Sequence, residues 1–175
     1  MARVRSLVRL KMAIDEWRAR ENTATQLGVL QEHTDAEKDG IDPSTILLVE
    51  DMDFEINKIK DTIESQDHTL DVVATGMEAI KKTNTTAYDL LIISLNLEHE
   101  DGVKLCSHLR SNEKTRNTPI LMIGSEDDLE KIARGLEIGA HDYIVRPVDR
   151  NELIARMVTQ VKRKRFQERL RSSYE

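Results

Sequence analysis

The sequence predicts an α/β fold: a doubly wound five-stranded parallel sheet covered by helices, with an extra helix at the N-terminus. Three observations lead there. Short apolar runs at 46–49, 70–74, 90–93, 120–123 and 143–145 are each of strand length. Most of them are apolar throughout rather than alternating, which marks strands buried on both faces. Amphipathic segments of helical length separate them, so strands and helices alternate along the chain as in a parallel sheet.

The elements follow in order. Residues 2–20 read as a helix, because Leu7, Leu10, Ile14 and Trp17 recur at three-four-three spacing and form one stripe. Residues 21–43 turn polar, with Gly28, Gly40 and Pro43 among charged and hydroxyl residues, and read as a linker. The alternating region begins at residue 44 and runs to 160. Its helices are expected at 53–66, 76–84, 101–111, 126–138 and from 149 to about 171. Pro119 precedes the fourth strand, and Gly139 stands where the fourth helix should stop. Asp149 is placed to cap the last helix, with Glu152 at capping-box spacing. Residues 161–175 extend that helix beyond the domain.

Composition excludes several function classes. There is no run of about 18 apolar residues, so no membrane span is expected. The N-terminus carries Arg3 and Arg5 where a secretory leader needs an apolar stretch. A single cysteine, Cys106, fits a reducing, cytoplasmic setting and reads as a helix packing residue. The net charge of −6 argues against nucleic acid as a partner. The basic run 162–165 reads as a solvated helix face. The five histidines have no metal-ligand spacing.

In sheets of this kind ligands bind at the carboxyl ends of the strands. Glu50, Asp51, Ser94, Gly124, Ser125 and Arg146 stand there. An adjacent acidic pair after an apolar strand suits a hard divalent cation. It equally suits the N-terminus of the next helix. From spacing alone both readings stay open.

Ordered motifs then become specific. Ile46-Leu47-Leu48-Val49-Glu50-Asp51, Tyr88-Asp89-Leu90-Leu91-Ile92-Ile93-Ser94, the turn Asp101-Gly102 and the stretch Gly135 to Pro147 resemble the receiver domains of bacterial response regulators. The resemblance covers residues 44–160. It implies a flavodoxin-like sheet of strand order 2-1-3-4-5 and a cis Arg146–Pro147 peptide. It also implies a phosphoacceptor pocket, and here three positions depart from the family. The acceptor aspartate is Ser94, the hydroxyl residue is Gly124, and the lysine is Arg146. The acidic pair, Glu50 and Asp51, and the switch aromatic, Tyr143, are kept.

These changes predict a vestigial pocket. A serine hydroxyl is weakly nucleophilic, and no general base is evident beside it. Loss of a carboxylate removes a metal ligand, so magnesium at Glu50 and Asp51 is expected to bind weakly or not at all. Gly124 has no hydroxyl to draw Tyr143 inward. Arg146 can fork onto Glu50 or Asp51. Ser125 would point elsewhere on a regular strand. The alternative is a phosphorylation-competent atypical receiver binding Mg²⁺ at Glu50 and Asp51. A nucleotide-binding reading fails on the acidic loop Glu50-Asp51-Met52-Asp53, which would repel phosphate.

The flanks resemble the middle of PleD-type response regulators, which run receiver, degenerate receiver and a GGDEF diguanylate cyclase that makes cyclic di-GMP. Residues 2–11 echo residues 155–164, as if residues 1–20 were the last helix of a preceding receiver. No GG(D/E)EF-like motif occurs, so cyclase activity is not expected in this chain. The resemblance implies an adaptor that docks on the preceding receiver domain, forms a homodimer and serves a downstream GGDEF output domain. Lys131, Arg134, Glu137, Tyr143, Arg150 and Arg156 are the interface candidates.

Overall fold

The computed structural model describes residues 41–174. The expected helix at 1–20 and most of the linker lie outside the described residues. Five strands alternate with five helices: β1 (Thr45–Val49), α1 (Asp53–Glu64), β2 (Thr69–Val73), α2 (Gly76–Thr85), β3 (Leu90–Ser94), α3 (Gly102–Ser111), β4 (Ile120–Gly124), α4 (Leu129–Ile138), β5 (Asp142–Val145) and α5 (Arg150–Tyr174). The strands are parallel in the order β2-β1-β3-β4-β5, as expected.

The continuous apolar runs have a plain cause. Alternate residues face opposite sides of a strand, and both sides are covered here. Ile46, Leu48, Leu90, Ile92, Leu121, Ile123 and Ile144 pack with Ile59 and Ile63 of α1 and with Leu153, Met157 and Val161 of α5. Their neighbours Leu47, Val49, Leu91, Ile93 and Met122 are equally buried. Met122 meets α4 at Gly135, where an added Cβ would lie 2.2 Å from the Met122 sulfur. Each fully buried side chain contributes roughly 1.5–3 kcal/mol.

Local chemistry sets the helix ends. Thr75 accepts from the Glu78 N–H at 3.2 Å and Asp101 from the Val103 N–H at 2.9 Å, each satisfying a donor left free by the first helical turn. Asp149 accepts from the Glu152 N–H at 2.9 Å, as its spacing predicts. The Glu152 carboxylate also accepts from Arg156 at 3.1 Å. α4 stops at Gly139, whose φ of 130° disfavours any side chain. The region predicted as one helix at 126–138 splits: Glu126–Asp128 form a 3₁₀ turn before α4. The Arg146–Pro147 peptide is cis.

α5 continues unbroken past residue 160. Its fifth turn is bolted to the amino edge of the sheet. Lys164 donates to the Tyr88 carbonyl at 3.3 Å and lies 3.7 Å from Asp89. Arg165 reaches the Asp42 carbonyl at 3.2 Å and the Ser44 hydroxyl at 3.0 Å. The basic run is therefore not simply a solvated face: these two cations are anchored, and the reason is the acidic and carbonyl-rich strand edge beneath them. No helix among the described residues is long and apolar enough to cross a membrane.

Candidate functional site

The topology gathers the strand-end residues. Glu50 follows β1, Ser94 closes β3, Gly124 closes β4 and Arg146 follows β5, so four chain segments meet at one edge. Glu50 and Ser94 are fully buried. One Glu50 oxygen, Oε1, accepts from the Asp51 and Met52 N–H groups at 3.0 and 3.3 Å. Its other oxygen accepts from Arg146 Nη2 at 2.9 Å.

Arg146 organises the pocket. The same Nη2 donates to Ser94 Oγ at 2.8 Å, and Nε donates to Asn96 Oδ1 at 3.3 Å. Nη1 lies 3.2 Å from Glu55 Oε1. That last approach is an ion pair outside hydrogen-bonding alignment, and Glu55 Oε2 has no hydrogen-bond partner either. The guanidinium thus touches two carboxylates, a hydroxyl and an amide, which its rigid fork suits and a lysine point charge would not.

Asp51 does not join this cluster. Its carboxylate accepts from the Glu98 N–H at 2.8 Å and so anchors the loop after β3. Glu100, on the same loop, accepts from the Gly76 N–H at 2.7 Å, at the start of α2. Arg146 therefore reaches Glu50 and Glu55, not Asp51. Ser125 donates to Asp128 Oδ2 at 2.8 Å. Cys106 is buried on α3, and burial pushes its thiol up to about 12, which leaves it unreactive.

The donor set does not fit magnesium. Glu50 Oε2 is held by a guanidinium, an Asp51 oxygen is held by a backbone amide, and position 94 offers a hydroxyl already contacted by Arg146. A divalent ion would sit beside a resident cation, and hard cations need unclaimed oxygens. Among the described residues no group of three or more His, Cys, Asp or Glu side chains is arranged to hold a metal.

Tyr143, expected among the interface candidates, is 3% exposed, so its ring is covered within this chain. Arg156 is also mostly covered: it pairs with Asp142 at 2.8 Å and Glu152 at 3.1 Å. Arg150 is exposed and donates to Ser65 at 2.8 Å. Lys131 lies 3.9 Å from Asp128. Arg134 and Glu137 remain exposed on α4, beside Ile138 at 39% exposure.

Glu55, Asn96 and Asp128 escaped the sequence reading. Glu55 and Asn96 follow the pocket positions Asp51 and Ser94 by four and two residues, and that proximity was the available signal. Asp128 stands at capping-box spacing from Ser125, three residues on, and that local signal was the available one.

Residues 46–158 match the response regulator receiver domain family. The response regulator PleD of Caulobacter vibrioides is 34% identical over 172 residues, covering 98% of this chain and 37% of the relative. Protein RcaC of Microchaete diplosiphon is 38% identical over 112 residues, covering 64% of this chain and 17% of the relative. The chain therefore spans only a minor part of these two relatives' length. Among solved structures, a Francisella response regulator 1452 receiver domain aligns with TM-score 0.61 and 31% identity, over 69% of this chain and 98% of that one. The receiver domain of sensor histidine kinase PA1611 from Pseudomonas aeruginosa, which has a magnesium ion coordinated in its active-site cleft, aligns with TM-score 0.63 and 25% identity, over 69% and 98%.

Proposed function

Since the chain belongs to the response regulator receiver domain family of two-component phosphorelays, we propose that it is a non-phosphorylatable member, an adaptor that works by docking and dimerisation. The observation that carries this reading is the Arg146 guanidinium, bound to Glu50 and Ser94 where phosphoryl and metal chemistry would have to occur. A carboxylate nucleophile is missing, and the hydroxyl in its place is neutral and already serves as an acceptor.

The test is incubation of the 175-residue chain with acetyl phosphate and Mg²⁺, and separately with beryllofluoride. The expected result is no covalent adduct by intact mass and no chemical-shift change at residues 50, 94 or 146. An adduct at this pocket would establish instead an atypical phosphorylation-competent receiver.

The 34% identity to PleD over nearly the whole chain supports placing the adaptor in a longer, cytoplasmic response regulator with a preceding receiver and a GGDEF output domain that makes cyclic di-GMP. The exposed charges of α4, Arg134 and Glu137, with Ile138 beside them, fit a surface for a second copy or the preceding receiver. Charge reversal at an interface rim acts on association without disturbing the fold. Arg134→Glu is expected to weaken self-association roughly tenfold, about 1.4 kcal/mol, at unchanged thermal stability. Sedimentation equilibrium across a concentration series measures it, and an unchanged dissociation constant would remove α4 from the interface.

A further inference from the structure

Asn96 joins the pocket to the start of α4. Its Oδ1 accepts from Arg146 Nε at 3.3 Å, and its Nδ2 donates to Asp128 Oδ2 at 2.7 Å. Only one amide orientation serves both neighbours, because the reverse would set a donor against a guanidinium and an acceptor against a carboxylate. The same Asp128 oxygen accepts from the Ser125 N–H and the Ser125 hydroxyl, both at 2.8 Å. Asp128 is 7% exposed.

The backbone makes room for this arrangement. Asp128 ends the 3₁₀ turn and precedes α4, yet its side chain turns back over the end of β4. A Cβ on Gly124 would stand 3.2 Å from Asp128 Cβ and 3.2 Å from a Leu95 methyl. These contacts are tight, so the glycine lets the carboxylate settle there. Burial alone would raise the Asp128 carboxyl. The hydrogen bonds from Ser125 and Asn96, aided by Lys131, outweigh it and hold the group below its ordinary value. Asp128 therefore stays ionised, as the amide contact requires.

We propose that Asn96 is a latch: it ties the β4–α4 connection to the resident Arg146 and so keeps the α4 docking face in one pose, with no phosphoryl group or metal needed. This rests on the adaptor reading for its meaning, while the latch itself is a statement about residues 96, 128 and 146. The chain of contacts is continuous, from Glu50 through Arg146, Asn96 and Asp128 to Ser125. A surface set by an internal cation is permanently engaged, whereas a switch has two positions.

Amide hydrogen exchange on the full chain tests the latch. Asn96→Asp keeps the shape and the Arg146 contact but opposes two carboxylates at 2.7 Å. It is expected to speed exchange across residues 125–132 at least tenfold, while residues 45–64 and 76–85 keep wild-type rates. Asn96→Ala removes the bridge without adding a charge, leaves Asp128 Oδ2 with its Ser125 donors, and is expected to speed exchange in the same segment to a smaller extent. Unchanged exchange in Asn96→Asp overturns the latch, as does a rise in Asn96→Ala that is uniform over the whole sheet. An acetyl phosphate adduct on the wild-type chain would instead overturn the adaptor reading and leave the exchange result standing.

Discussion

Replacing Arg146 with alanine is expected to destabilise the domain by about 3–5 kcal/mol, the cost of removing one partner from a buried ion pair. The reason lies in what stays behind. Glu50 is completely buried and Glu55 is 7% exposed, and the guanidinium is the cation that the structure sets against both. Ser94 and Asn96 lose a donor at the same time. Urea denaturation measures the loss, and a double-mutant cycle assigns it. Adding Glu50→Gln to Arg146→Ala neutralises the carboxylate that suffers most and should recover roughly half of the loss. Arg146→Lys keeps the charge but cannot fork, so it should fall between the two. If Arg146→Ala unfolds at the wild-type midpoint, the guanidinium is not what neutralises this pocket.

Arg156→Glu should cost about 2–3 kcal/mol, somewhat less than the Arg146 substitution because this pair is closer to solvent. Burial alone would make the Arg156 guanidinium more acidic, but Asp142 and Glu152 outweigh it and hold the cation above its ordinary value. Reversal places three carboxylates where one cation had bridged two. Asp142 opens β5, and α5 packs on the sheet through Leu153 and Met157 on either side of Arg156. Thermal unfolding should therefore drop by several degrees. Any loss of association in this variant would report damage to the β5–α5 junction, whereas Arg134→Glu probes the proposed α4 interface. Wild-type stability in Arg156→Glu would return Arg156 to the proposed docking surface.

The difference between these two arginines shows what was legible in the sequence. The parallel sheet could be read because strands covered on both faces carry unbroken apolar runs, as at Ile46 to Val49. Helix ends were legible where one residue decides them, as Gly139 and Asp149 do. Glu50, Ser94, Gly124 and Arg146 could be placed by motif order, since each closes or directly follows its own strand. Their pairing could not. Arg146 meets Asn96 across 50 positions, and Asn96 meets Asp128 across 32, separations at which no periodicity operates. Asp51 and Glu50 are neighbours in sequence, yet the chain turns between them and sends one carboxylate to a loop amide and the other to a guanidinium. Arg156 carried a readable cue, an i,i+4 relation to Glu152. Its stronger bond to Asp142 depends on how α5 lies over β5, and that is tertiary packing.

Lys164 and Arg165 give the molecule a mechanical property. They tie the outgoing helix to residues 42–44 and 88–89, so the chain enters and leaves the described domain through one small anchorage. A pull between residue 41 and the helix beyond residue 165 loads these few charged contacts first and spares the hydrogen-bonded ladder of the sheet. Partly exposed ion pairs weaken as salt rises. Ionic strength thereby tunes how firmly α5 is gripped at residues 164–165, and so how stiffly the helix beyond them is held.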